Sequence, residues 1–369
     1  MTAFPLMTPL VQSLPATVPF VGPEAIERNR GLKVLARIGA NENGFGPAPS
    51  VIAAMQAHAH GIWQYNDPEN FALRQALGRH LGIAPAHIGI GEGIDGILGM
   101  IVRLVIGAGE TVVTSLGAYP TFNYHVAGYG GRLVTTPYVD DREDLNGLLD
   151  LARREQARLV YLANPDNPMG SWWEADDVIA FARALPETTL LVLDEAYSET
   201  GPASALPAAD ALLDLPNVIR TRTFSKAYGL AGARVGYTLS SEGNTSAFDR
   251  IRHHFGMNRL ATEAALAALA DQTYLGEVVA KIAASRERIG AIARENALTP
   301  LPSATNFVAV DAGGDGQRAR AIVDGLMEHG IFIRMPGVAP LNRCIRISCG
   351  PDAAMDLLAE ALPRVLARL

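Results

Sequence analysis

Of the 31 basic residues in this chain only three are lysines: Lys33, Lys226 and Lys281. A chemistry that needs a primary amine therefore has three candidates. Lys226 lies in RTFSKAYGLAGARVGY (222–237), just past an apolar strand-like run, where sites form in open α/β sheets. Gly229 and Gly232 keep the following loop tight and permit close backbone approach. Ser225 and Arg234 flank the lysine and together can hold a phosphate, arginine being suited to a bidentate contact. A surface lysine at an ordinary turn is the competing account, and the neighbouring segments weigh against it.

In LLVLDEAYSE (190–199) an apolar strand runs into Asp194. A carboxylate there is costly to bury without a cationic partner; a protonated pyridine nitrogen would be one. Tyr197, three residues on, can donate to a ring hydroxyl. The alternative is a strand-capping acid beside an exposed tyrosine. In NPDNPMG (164–170), Pro165 and Pro168 fix a rigid turn that would hold the Asn167 amide toward the same ring oxygen, or would merely close a structural turn. GIGEGIDG (89–96) passes from strand to helix and leaves the Ile94 and Asp95 backbone N–H groups free to meet an anion, unless Asp95 simply caps the helix. Phe122, in YPTFNYH (119–125), can stack on a planar ring or fill the core. Arg346 in IRISCG suits bidentate carboxylate binding. Arg334 in IFIRM adds a second cation, and either can instead serve a structural salt bridge.

The elements that must position these residues follow from periodicity. Strand-like runs occur at Ile88–Ile90, Thr111–Ser115, Arg132–Thr136, Leu159–Ala163, Leu190–Asp194, Val218–Arg222 and Arg234–Leu239, with helical stretches between most of them. The clearest helix places Ile94, Ile97, Leu98, Ile101 and Leu104 on one face. This alternation predicts an α/β fold with a mostly parallel seven-stranded sheet between helices. Only SKAYGLAGA separates the last two strands, too little for a parallel crossover, so the last strand should run antiparallel. Beyond it a helical stretch from Thr262 to Asn296, strands at Asn306–Val310, Ile331–Met335 and Cys344–Ser348, and helices at Arg318–His329 and from Asp352 describe a smaller α+β domain. The expected division is an arm and small-domain segment at 1–40, a large domain at 41–260 and a small domain at 261–369.

Composition excludes several classes. Hydrophobic residues make up 49% and charged residues 19% of the 369, which fits a folded enzyme rather than a disordered chain. The net charge of −7 gives no electrostatic footprint for nucleic acid, and no apolar run reaches the length of a membrane span. The N-terminus has no basic region before its apolar residues, and Pro5, Pro9 and Pro15 interrupt it, so a partly extended arm is expected rather than a signal peptide. The only cysteines, Cys344 and Cys349, are separated by an odd number along a strand and point to opposite faces. Neither a disulfide nor a metal pair is expected, and the compartment is read as cytoplasmic.

In this order the segments resemble fold-type I aminotransferases dependent on pyridoxal phosphate (PLP), specifically the histidinol-phosphate aminotransferase-like group. The resemblance runs from about Leu35 to Gly350. ARIGANENGFGPAPS and QYNDPENFALRQALGRHLGI resemble two further family segments, and the lysine segment is an almost complete match. The resemblance implies that Lys226 holds PLP through a Schiff base and then shuttles a proton. Asp194 would keep the pyridine nitrogen protonated, and Asn167 and Tyr197 would bond the ring oxygen. Phe122 would take the place of the stacking aromatic. The Ile94 and Asp95 amides, Ser225 and Arg234 would hold the phosphate. Tyr65 would reach the cofactor of a neighbouring subunit, implying a homodimer. Arg346 would bind the substrate carboxylate, with Asn43 and Asn306 lining that pocket. Arg334 fits a phosphorylated substrate or a second carboxylate.

Met169 stands where the group often has threonine, Gly44 where it often has proline, and Phe20 with FVGPE replaces the usual tyrosine-containing arm. The nominal reaction is transamination between histidinol phosphate and 2-oxoglutarate. The other expectations weighed are an aromatic amino acid aminotransferase, a decarboxylase or oxidase on the same scaffold, and a noncatalytic regulator.

Overall fold

The computed structural model describes residues 6–16 and 21–369. A short strand, β1 (Ala36–Arg37), precedes seven that form one sheet: β2 (Ile88–Gly91), β3 (Thr111–Ser115), β4 (Arg132–Thr136), β5 (Leu159–Ala163), β6 (Leu190–Asp194), β7 (Val218–Thr223) and β8 (Gly236–Ser240). Their order is β2-β8-β7-β6-β5-β3-β4. All neighbours are parallel except β8, which is antiparallel to both β7 and β2. The expected seven-stranded mixed sheet is therefore present, with its short final connection forcing the reversal.

Strands β3, β5, β6 and β7 are buried along their whole length, as a sheet covered on both faces requires. Alternate residues serve the two faces. Val112, Leu159, Tyr161 and Val192 meet Ile97, Leu98, Ile101 and Val102 of the helix Gly93–Val105. Val113, Val160, Leu162 and Leu193 meet Leu148 and Leu151 of the helix Leu145–Arg154 and Phe181 of the helix Ala175–Ala184. Leu104 is only half-buried and Val102 takes its place on the inner face, a rotation of the stripe that a five-residue pattern does not resolve.

The smaller unit contains β9 (Thr299–Pro300), β10 (Phe307–Asp311), β11 (Ile331–Phe332) and β12 (Cys344–Ser348). Strands β12, β10 and β9 form an antiparallel sheet, and β11 pairs in parallel with β1. The expected strand Ile331–Met335 is thus cut short; beyond Phe332 only a backbone bridge between Arg334 and Arg346 remains. Cys344 and Cys349 are unpaired and buried in different clusters.

Two expectations are revised. The helical stretch 262–296 is two helices, Arg259–Ala270 and Gln272–Glu295, broken at Asp271, whose carboxylate accepts from the Tyr274 amide. Ala261, Ala264, Ala265 and Ala268 of the first helix pack with Val51, Leu73 and Leu77 beside the large sheet, whereas Val278, Ile282 and Ile289 of the second belong to the other core. We therefore propose Asp271 as the division between packing units, in place of 260/261. The N-terminal segment is extended only in part: Pro9 and Pro23 open short helices, Pro9–Ser13 and Pro23–Arg30, flanked by extended residues at Thr8, Leu14 and Gly22, since proline's fixed φ suits the first helical turn. Pro5 and Phe20 lie outside the described residues.

The carboxyl end of the large sheet is tied by a buried ion triad. Glu195 accepts from Arg220 Nε at 3.0 Å and Nη2 at 2.9 Å, and from Arg222 Nε at 2.8 Å. Burial pushes its carboxyl up, but the two guanidinium groups outweigh that and hold it below the usual range. Arg220 also donates to the carbonyls of Pro207 and Ala208. Removing one partner of such a set strands a buried charge. Glu195→Gln should therefore lower the unfolding free energy by about 3–5 kcal/mol, read from the denaturant midpoint; an unchanged midpoint contradicts this account.

Candidate active site

Parallel register brings three strand ends to one level, pairing Ala163 with Asp194 and Asp194 with Thr221. The turn 164–171, the acid Asp194 and the loop bearing Lys226 therefore leave the sheet side by side. They enclose a cavity of about 250 Å³ lined by eight of the expected residues: Ile94, Asp95, Asn167, Asp194, Tyr197, Ser225, Lys226 and Arg234.

Lys226 Nζ donates to the Asn41 carbonyl at 3.2 Å and lies 5.6 Å from the Tyr197 ring centroid. Burial pushes its amine down to about 8, helped by the positive charges of Arg346 and Arg234 and opposed by Asp194. Asp194 accepts from the Tyr161 hydroxyl at 2.7 Å and from the Ala196 amide at 3.0 Å. Both partners are neutral. Burial pushes this carboxyl up to about 6, against those two donors and the Lys226 charge. A buried acid satisfied only by neutral donors can accept a further cationic N–H.

At the far end of the cavity Arg234 adopts a left-handed conformation at φ 60°. Its Nη1 donates to Ser225 Oγ at 3.4 Å and to the Ala231 carbonyl at 2.9 Å. Gly93, at φ 74°, opens the helix above it; any β-carbon there would collide with the Arg234 guanidinium. A β-carbon on Gly236 would come within 3.0 Å of the Ile94 nitrogen. These glycines hold an arginine under a helix N-terminus whose Ncap, Glu92, makes no side-chain cap. That leaves backbone N–H groups for an anion. Asp95 is not the cap; its carboxylate lies 3.2 Å from His125 Nε2.

The structure separates other expected residues from the cavity. Phe122 is fully buried and stacks on Tyr161 at 4.5 Å between centroids. Tyr119, three residues earlier at the helix start, lines the cavity instead. Asn43 turns away to bond the Ala227 carbonyl at 2.9 Å and the Phe45 amide at 3.0 Å, bracing the loop after Lys226. Asn41, two residues earlier, faces the site residues instead: its Nδ2 donates to the Tyr197 hydroxyl at 2.9 Å. Asn306 stands behind Asn41, donating to its carbonyl at 3.0 Å. Burial pushes the Tyr197 hydroxyl well up, against the Arg346 charge and the Asn41 donor. Tyr65 is 77% exposed, beside Phe255 at 4.8 Å, and lies outside its own chain's cavity.

A second cavity of about 740 Å³ shares Asn167 with the first and is lined by Arg334 and Arg346. Arg346 Nη1 donates to Asn167 Oδ1 at 2.6 Å, and Nη2 to the Gly39 carbonyl at 3.4 Å. Burial pushes this guanidinium down to about 10, with Arg334 adding to the shift and Tyr197 opposing it, and its Nε has no partner. Arg334 Nη2 donates to the Val21 carbonyl at 3.1 Å, so the residues after the N-terminal arm reach this cavity.

Sequence reasoning missed Asn41, Tyr119 and Tyr161. Tyr161 carried a signal: a polar tip inside an otherwise aliphatic buried strand needs a partner, and Asp194 lies on the same face of the adjacent strand. Among the described residues no His, Cys, Asp or Glu cluster could hold a metal, and no helix is long and apolar enough to cross a membrane.

The model for aminotransferase class I and II matches residues 34–362. A crystal structure of histidinol-phosphate aminotransferase from Sinorhizobium meliloti, in complex with pyridoxal-5'-phosphate, is 70% identical. It superposes with a TM-score of 0.97 over 100% of this chain and 99% of that one. Histidinol-phosphate aminotransferase 2 of Pseudomonas fluorescens is 34% identical, covering 98% of each chain. Histidinol-phosphate aminotransferase of Staphylococcus haemolyticus is 33% identical over 95% of this chain and 97% of that one. A lysine, an acid and a helix-borne anion cradle, gathered at one sheet edge in a chain with these relatives, leave one assignment: the chain belongs to the aminotransferase class I and II family.

Proposed function

We propose that the chain is a PLP-dependent aminotransferase that moves an amino group between histidinol phosphate and 2-oxoglutarate, working through Lys226. The observation that carries this is the pairing, in one cavity, of a largely desolvated amine with a buried acid whose hydrogen-bond partners are all neutral. The residues present fit the cofactor. Asp194 offers a carboxylate for a pyridinium N–H. Tyr197 and Asn167 offer donors for the ring oxygen. The N–H groups of Ile94 and Asp95, Ser225 and Arg234 offer a cradle for the phosphate. Tyr119, which lines the cavity where the buried Phe122 does not, would lie against the ring.

When bound, PLP supplies an electrophilic aldehyde and an electron-withdrawing ring. Lys226 provides the amine that meets that aldehyde, and once displaced it carries the proton at the substrate's Cα. Asp194 holds negative charge at the ring nitrogen, and the Tyr161 hydroxyl keeps that carboxylate oriented. Arg346 binds the substrate carboxylate, and Arg334 the phosphate of histidinol phosphate or the distal carboxylate of the oxo acid. The names of the relatives support this choice of donor, as does the presence of Arg334 and Arg346 together in the lining of the second cavity.

A homodimer is part of the proposal. Trp63, Tyr65 and Phe255 are 80%, 77% and 57% exposed. A cluster of large apolar side chains of this kind marks a protein surface meant to be covered, and from there Tyr65 would reach a second subunit's cofactor. Two buried, unpaired cysteines fit a reducing cytoplasm.

Lys226→Ala should reduce turnover by at least about 10⁴-fold, read as 2-oxoglutarate formed from glutamate in the presence of a 2-oxo acceptor; retained turnover without added amine contradicts the assignment. A panel of histidinol phosphate, phenylalanine, tyrosine and glutamate should show the highest kcat/KM with histidinol phosphate, whereas CO₂ release would indicate decarboxylation. Because the Lys226 amine sits near 8, uptake of PLP by the cofactor-free protein should quicken about tenfold per pH unit below that value and level off above it. A midpoint near that of free lysine would show that burial does not depress the amine.

A further inference from the structure

Behind the turn that carries Asn167 lie two carboxyl groups with no part in the chemistry described so far. Asp166 is 2% exposed and Glu143 is 1% exposed. Asp166 Oδ1 accepts from the Tyr138 hydroxyl at 2.9 Å, and Oδ2 accepts from the Met169 amide at 3.0 Å. Glu143 Oε1 accepts from the Ala163 amide at 2.9 Å, and Oε2 from the Ser115 hydroxyl at 2.7 Å. The two acids therefore grip one piece of chain, from the end of β5 through the turn, using only neutral donors. One residue beyond Asp166, the Asn167 amide oxygen accepts from Arg346 at 2.6 Å. Arg346 in turn is a half-buried cation lining the second cavity, and its direct partners, the Asn167 amide and the Gly39 carbonyl, are also neutral.

A half-buried cation with only neutral partners is stabilised by a counter-charge nearby. We propose that Asp166 is a positioning residue that serves as the resting counter-charge of Arg346, ionised while no substrate carboxylate is present and taking up one proton from solvent when such a carboxylate reaches Arg346. This rests on the reading of Arg346 as the residue that binds the substrate carboxylate. Only an O–H bond forms in the step.

The electrostatics of the cluster agree. Burial pushes Asp166 up to about 7, opposed by the Met169 and Tyr138 donors and by the Arg346 charge. Burial, with Asp166 beside it, also pushes Glu143 well above the carboxylate range, against the Ser115 and Ala163 donors. The other ionisable groups that act on this cluster are Tyr138 itself and Tyr161, Tyr197, Tyr119 and Arg334 around Arg346, with Lys226 and Asp194 across the cavity. A carboxylate on Arg346 cancels the charge that favours ionised Asp166, so the acid's pKa rises on binding. By reciprocity, carboxylate affinity is greatest where Asp166 is already protonated and falls as pH rises through about 7.

The test uses the holoenzyme and succinate, a dicarboxylate with neither amine nor carbonyl, and measures Kd from about pH 5.5 to about pH 8.5. The ratio of wild-type Kd to variant Kd removes the titrations of Lys226 and Asp194. For Asp166→Asn the ratio should be near one at the acid end and rise to roughly fivefold at the alkaline end, the variant binding more tightly. A purely structural role would weaken succinate binding equally at every pH; that flat ratio overturns the proposal.

Tyr138→Phe removes a donor to the Asp166 carboxylate and keeps the test available if the first variant does not fold. It should move the fall in affinity to higher pH, and an unmoved or lowered midpoint also overturns the proposal. Arg346→Gln should abolish both the affinity and its pH dependence. If it leaves succinate binding unchanged, the reading of Arg346 fails and the proposal with it; if it abolishes binding while the Asp166→Asn ratio stays flat, only the proposal fails.

Discussion

Two ionisable groups of opposite sign, the Lys226 amine and the Asp194 carboxyl, line one cavity without a hydrogen bond between them. Burial pushes each toward its neutral form, to about 8 and about 6 respectively. If they formed a direct ion pair, the amine would stay protonated and lose its nucleophilicity. Held apart, each is available to a different end of one planar molecule. The rest of the site serves this separation: Lys226 is tethered to a backbone carbonyl and Asp194 to a tyrosine hydroxyl and a backbone amide, all neutral partners.

The fold imposes the separation through register. Asp194 ends β6, while Lys226 lies three residues past the end of β7, beyond the Thr221 that pairs with Asp194. The triad of Glu195, Arg220 and Arg222 locks those two strand ends together directly beneath the site. The smaller unit is tied in through Asn41, whose carbonyl meets both Lys226 and Asn306, and whose amide meets Tyr197. Arg346 on β12 closes the arrangement by its bond to Asn167. Lys226 and Arg346 thus sit on different packing units, which Asn41 and Asn167 bridge.

Much of this was legible in the sequence, for identifiable reasons. Strands β3 to β6 coincide with their expected bounds because each is a short apolar run between turn formers, and the antiparallel β8 followed from a connection too short to cross over. The lysine, the acid and the anion cradle were legible because glycine, proline and charge mark them locally. Which aromatic lines the cavity was not: Tyr119 and Phe122 stand one helical turn apart in the same aromatic segment, and only the packing of Phe122 on Tyr161 decides which enters the core. Asn41 and Asn43 are likewise alike in sequence and separated only by long-range bonds to Tyr197 and Ala227. The break at Asp271 escaped because an alanine-rich stretch is helix-forming on both sides of it, and a capping acid is quiet amid such residues.

The central claim is that one amine among three makes the covalent link to the cofactor. It is tested most directly by reducing the PLP-loaded protein with borohydride and mapping the modified peptide by mass spectrometry. A phosphopyridoxyl group on Lys226 alone is the predicted result. The group on Lys33 or Lys281, or no stable adduct in protein that has taken up PLP, would contradict it.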